Sequence, residues 1–272
     1  MSGSTLVWRG ASASSASPCP RHFAPNPESD QQTKGPSRWS LAAAGAAGAL
    51  VGTIAVHSLI PAFTLPEAFA VMPESPSPDM LADYRAAYRK VTVGNASSAF
   101  AIIGACLALP LGFLGCARSP IALSLKAMLC AGVGGIVGGG AAGFVVANAA
   151  FIEGRAALPI YKLDPMLLSV LIQFAAWGAI GLGLGLALTC CRRGFRTLAG
   201  VAWGLWGGFM AAIMHAVLSS IAFPSSELLQ AVPSSLLERL IWAGGAGLCL
   251  GLCMLPLLGG RRSSTKELPP PS

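Results

Sequence analysis

Few residues in this chain are equipped for chemistry, and they sit in apolar company. His57, Asn148, Gln173 and His215 lie within long apolar runs, joined by Ser58, Ser219 and Ser220. Polar or ionisable side chains inside hydrocarbon are costly, so these are candidates for lining a solute path, relaying a proton or holding a metal. His57 falls 19 residues after Arg38, and His215 falls 19 after Arg196. That spacing is about 28 Å of helix rise from a basic residue at one membrane surface. Both histidines are therefore expected near the opposite, outer interface, in the same half of the membrane as Asn148 and Gln173. A histidine at that depth has a plainer use, which is to reach headgroups or water.

Catalytic templates fail on the same residues. Intramembrane proteolysis needs paired carboxylates, a Ser–His pair at matched depth or a HExxH motif, and no apolar run holds an interior acid. His57 and Ser58 are adjacent, so on a helix they point about 100° apart. Two histidines are too few for a metal without a third ligand, and His22, the remaining one, lies in the N-terminal segment. The eight cysteines form no CxxC pair. Cys249 and Cys253 share a helix face without a carboxylate or histidine near that depth, and small packing residues are the expectation. No catalytic residue, metal or cofactor is assigned, and the chain is expected to be non-enzymatic.

The elements that carry these residues are legible in the composition. Of 272 residues, 54% are hydrophobic and 11% charged, with a mean hydropathy of +0.64. Soluble domains carry about 25% charged residues, so a soluble enzyme or a nucleic-acid-binding domain is excluded for the bulk of the chain. Six apolar segments, at 40–63, 97–116, 124–151, 166–188, 197–223 and 236–259, are each long enough to cross about 30 Å of hydrocarbon. The fold class is all-α: a polytopic membrane protein with a six-helix transmembrane bundle. Ala68-Phe69-Ala70 resembles a signal-peptidase site, but 39 residues precede the apolar run, so the run is read as a span.

Three domains follow. Residues 1–37, rich in Ser, Pro and Ala, are expected to form a disordered cytoplasmic tail; 38–262 form the transmembrane domain; 263–272 form a second disordered cytoplasmic tail. With six spans both termini share a side. That side carries a net charge of +9 and the other −2. The positive-inside rule then places both termini in the cytoplasm of a plasma or inner membrane. The net charge of +7 is a topology signal, not a nucleic-acid surface.

Local signals mark element starts. Asp164-Pro165 reads as an N-cap and first helical residue, and Ser235 with Glu238 as a capping box. Pro110 and Pro256 should kink their helices or change the local packing. In the longest outer loop, Ser77-Pro78 opens a short helix with Leu81, Tyr84, Tyr88 and Val91 on one face. It is expected to lie on the headgroups or cap the bundle, or else to dock a partner or gate. Asn95-Ala96-Ser97 matches a glycosylation sequon but sits too near the second span for use.

Glycine is the remaining pattern. Gly45, Gly48 and Gly52, then Gly132, Gly135, Gly139 and Gly143, then Gly200, Gly204 and Gly208 recur at three- or four-residue steps in the odd-numbered spans. Such rows lie on one helix face and admit a neighbouring backbone. Gly48, Gly52, Gly135, Gly139, Gly204 and Gly208 are the candidate packing residues. In the even spans Gly104, Gly178 and Gly247 each precede an arginine by 14 residues. The chain thus reads as three repeated two-helix hairpins. Three hairpins invite comparison with mitochondrial carriers, but the paired charges of those repeats are missing here. The lipid bilayer is the expected partner, with self-association or other membrane proteins beside it. The competing function is a small-solute transporter or channel with a pathway between the hairpins.

Overall fold

The structure is a computed structural model, and it describes residues 37–69, 73, 76–115, 121–153, 165–191, 197–222, 232, 233 and 235–258. The expectations for residues 1–36 and 263–272, for Asp164 as an N-cap, and for most of the basic residues that set the charge asymmetry lie outside them. The described residues are all-helical. Six helices are long and apolar enough to cross a membrane: α1 (Arg38–Leu59), α2 (Pro78–Gly115), α3 (Ile121–Glu153), α4 (Pro165–Cys191), α5 (Thr197–Ala222) and α6 (Leu236–Cys253), with a short α7 (Leu255–Leu258) after the last.

Their ends follow backbone chemistry. The Ser37 hydroxyl accepts the Ser40 amide at 3.0 Å and starts α1. The Ser77 hydroxyl accepts the Met80 amide at 3.2 Å, with Pro78 as the first helical residue of α2. The capping box is present: Ser235 and Glu238 satisfy each other's amides at the start of α6. Pro110 is carried within α2. Pro256, which has no amide hydrogen for the carbonyl four residues back, coincides with the break between α6 and α7 at Met254.

One expected boundary is corrected. The helix opening at Ser77 does not stop before the second span; α2 runs unbroken for 38 residues. That is about 57 Å of rise, well over the roughly 30 Å of a hydrocarbon core. Its first turns, with Asp79, Asp83, Arg85, Arg89 and Lys90, continue the axis of the span instead of lying on the headgroups. Gly94 and Asn95, midway along α2, are filled from outside the helix. The Phe63 ring packs over Gly94, and Asn95 Oδ1 accepts the amides of Ala62 and Phe63, both at 3.0 Å, while Nδ2 donates to the Phe63 carbonyl. The chain leaving α1 is thereby clasped to α2. Phe69 then stands edge-on to Tyr84, which stacks on Tyr88.

Each helix packs on its neighbours in sequence, and α1 packs on α6, so the six close into a ring. The seams are made of glycine. Between α2 and α3, a Cβ on either Gly104 or Gly135 would overlap the other's carbonyl. The same reciprocal contact joins Gly181 to Gly204 between α4 and α5, and Gly247 to Gly45 between α6 and α1. A further pair, Gly134 and Gly183, joins α3 to α4. All six candidate packing glycines lie against a neighbouring backbone of the same chain: Gly48 on Cys106 and Leu107, Gly52 on Ile103, Gly135 on Gly104, Gly139 on Phe100, Gly204 on Gly181, Gly208 on Trp177 and Gly178. In α4 the glycine in such a reciprocal contact is Gly181; Gly178, which precedes an arginine by 14 residues, is one turn away and packs beside Gly208.

Inside the ring the even helices meet. Phe100 of α2, Trp177 of α4 and Trp242 of α6 form an aromatic triad with centroid separations of 6.3, 5.6 and 4.9 Å. Along the same helices Ile103, Leu107 and Leu111 of α2, Ile180, Leu184 and Leu188 of α4, and Ala246 and Leu250 of α6 with Met254 at its end, are all buried. Most of the exposed large apolar side chains belong to α1, α3 and α5, among them Val51, Ile54, Val133, Val137, Phe144 and Trp206. An apolar exterior of this extent matches acyl chains.

Gly135→Ala places a methyl against backbone that cannot yield. It is expected to destabilise by about 1–3 kcal/mol, the usual cost of overpacking. Gly140→Ala, whose Cβ would meet nothing within 4 Å, is expected to be neutral or to stabilise by up to about 1 kcal/mol through helix propensity. Reversible unfolding in mixed micelles measures both, and equal effects would contradict the glycine seam.

Candidate functional site

The four polar candidates occupy four different settings. Gln173 of α4 is 1% exposed, and its Oε1 accepts the indole N–H of Trp242 at 3.0 Å. This bond crosses from α4 to α6 at the aromatic triad, one turn from Trp177 on α4. His215 of α5 is buried, and its ring bonds the Ser219 hydroxyl one turn along its own helix at 3.2 Å. Asn148 of α3 accepts from the Arg89 guanidinium, with 3.1 Å to Nε, and donates back to the Phe144 carbonyl at 2.7 Å. His57 is exposed near the end of α1. No hydrogen bond among the described residues links two of these four.

The hydroxyls are likewise spent locally. Thr53 donates to Ala49, Ser58 to Ile54, Thr189 to Gly185 and Leu186, and Ser220 to Ala216, each to a carbonyl of its own helix. This back-bonding satisfies a hydroxyl in an apolar setting without a second helix. Among the described residues no three of His, Cys, Asp or Glu converge as metal ligands. Asn95 is occupied by its clasp on the α1–α2 connection. A glycan on Nδ2 would displace the bond to Phe63, so the sequon is buried in structural work.

One polar atom stands apart. The indole nitrogen of Trp177 is buried without a hydrogen-bond partner. The Trp177 ring packs against that of Trp242, whose N–H is paired, so the two tryptophans of the triad differ in whether their N–H is satisfied. The sequence reading missed this triad, the Asn95 clasp and the Arg89–Asn148 link. The triad had a signal, since Phe100 precedes Gly104 by four residues, as Trp177 precedes Gly181; the other two join residues whose contact depends on α2 being continuous.

No family model, no curated protein and no solved structure matches this chain.

The triad yields a comparison of two like-sized deletions. Trp242→Phe and Trp177→Phe remove similar volume, but only the first strands a buried Gln173 oxygen. An orphaned buried acceptor costs about 1–3 kcal/mol, while hydrogen bonds between membrane helices average about 0.6 kcal/mol in double-mutant cycles. Trp242→Phe is expected to be the more destabilising, and Gln173→Leu in that background to recover part of the loss. Equal unfolding free energies for the two single variants would show that the bond contributes nothing.

Proposed function

We propose that this chain is a non-catalytic, multi-pass membrane protein whose six helices form a sealed packing unit, with both termini on the cytoplasmic side of a plasma or inner membrane. The observation that carries the reading is the filled centre of the ring. The aromatic triad joins α2, α4 and α6, and buried aliphatic side chains of the same helices lie along the axis where a solute path would run. Gln173, His215 and Asn148 support it, because their hydrogen bonds are closed within one helix or between two helices. A pathway needs polar groups with capacity left for a moving solute.

The glycine faces work within the chain in this reading. They knit the bundle together, and association with further copies or other membrane proteins would use the lipid-facing sides of α1, α3 and α5. The repeat fits the same picture in a shifted frame. Equivalent reciprocal glycine pairs join α2 to α3, α4 to α5 and α6 to α1, which suits a repeated unit of an even helix with the odd helix that follows it, while Gly134 and Gly183 add a contact between the first two such units.

Two measurements test the proposal. Proteoliposomes containing the full chain are expected to pass small ions and neutral solutes no faster than empty vesicles; a flux that changes with His57→Ala or His215→Ala would establish the transporter alternative instead. Reporter fusions at either end are expected to score as cytoplasmic, and an external reporter at either end would overturn the orientation.

A further inference from the structure

The seam between α5 and α6 is built differently from the backbone-to-backbone glycine seams. Its glycines face side chains: Gly207 meets Leu250 and the Cβ of Cys253, and Gly245 meets the methyl end of Met214. Sulfur collects there. Cys249 Sγ lies 3.7 Å from Met214 Sδ across the seam. Cys253 is one turn further along α6 on the same face, and both cysteines are half-buried free thiols. On α5, Met210 is three residues from Gly207 and four from Met214, so it falls on the stripe that these two turn toward α6.

The donor set has a definite chemical preference. Thiols and thioethers are soft ligands, suited to copper(I) and unsuited to magnesium or calcium, which require oxygen. Zinc sites draw on thiolates, imidazoles and carboxylates, and no third such group joins these cysteines among the described residues. The geometry is also suitable. Two sulfurs each about 2.3 Å from one ion, the zinc–thiolate length taken as a guide, stand at most about 4.6 Å apart, and the observed pair at 3.7 Å fits a bent arrangement.

We propose that Cys249, Cys253 and Met214, with Met210 completing the set, bind one copper(I)-class cation at the α5–α6 seam. Both cysteine S–H bonds are lost as two copper–thiolate bonds form, and both protons leave to water, while the thioethers donate lone pairs and lose nothing. The metal remains copper(I) throughout, so no oxidant or reductant takes part. Histidine and carboxylate are not needed, and the sealed centre of the ring is not involved, so the site stands or falls apart from the transport question.

The test uses the purified full chain in mild detergent under anaerobic conditions. Copper(I) is supplied as its acetonitrile complex and competed with bicinchoninate. One copper(I) is expected to be retained per chain. Cys249→Ser and Cys253→Ser are each expected to weaken retention by at least about tenfold, and Met214→Leu to weaken it less. Cys106→Ser with Cys130→Ser is expected to leave it unchanged. X-ray absorption of the loaded wild-type protein, which needs no variant to fold, is expected to show an all-sulfur shell. Failure of the wild type to retain copper, a nitrogen or oxygen shell, or wild-type retention by the Cys249→Ser/Cys253→Ser double variant would each overturn the proposal.

Discussion

Carbonyl oxygens of one helix sit where side chains of the next would have to be, and the rest of the bundle depends on that contact. Water-driven burial does little between helices already surrounded by hydrocarbon, so their association rests on close packing and a few hydrogen bonds. Removing the Cβ at Gly45, Gly104, Gly135, Gly181, Gly204 and Gly247 brings the backbones of α1/α6, α2/α3 and α4/α5 together pairwise. Each pair then behaves as one thick element. Joining three such elements in a ring leaves a narrow axis, and the side chains of α2, α4 and α6 fill it.

That arrangement explains why large residues gather where they do. With glycine on the seams, bulk is displaced to the axis and to the outside. Phe100, Trp177 and Trp242 close the axis near the α1–α2 connection, and leucine and isoleucine layers continue it. Polar residues meet the same constraint. Gln173 is tolerated in the middle of the bundle because Trp242 supplies a donor at 3.0 Å; His215 is tolerated because Ser219 lies one turn away. The bonds that satisfy Gln173 and Asn148 each reach one neighbouring helix, to Trp242 and Arg89, and that of His215 stays on its own helix.

Span number, the capping box at Ser235 and the Ser77 start were legible because each depends on a short stretch of chain. The limits of that reading are instructive at three places. The stretch from Ser77 to Val91 reads as a short loop helix, yet α2 runs on through Gly94-Asn95 into the second span, where Asn95 is satisfied by residues some 30 positions earlier, Ala62 and Phe63. Gly178 is picked out by its distance to an arginine, but the reciprocal backbone contact between α4 and α5 lies one turn on, at Gly181 and Gly204, which no spacing to a terminal charge reports. The four polar candidates shared a depth in the sequence, and depth fixes only one coordinate. Rotation about each helix axis, which glycine contacts decide, sends them into separate environments.

The uneven seams have a chemical consequence. Where two backbones touch, nothing can be inserted without separating the helices, and the α2–α3 and α4–α5 seams are closed to any ligand. The α5–α6 seam is held apart by Leu250, Met214 and the cysteines of α6. Flexible thioethers tolerate rearrangement better than branched side chains, and a thiol can exchange its hydrogen for a metal with little change in volume. A ring otherwise locked by glycine thus retains one adaptable contact, and the residues that make it adaptable are the ones with affinity for a soft ion. Packing and ligand preference converge there on the same three sulfurs, Cys249, Cys253 and Met214.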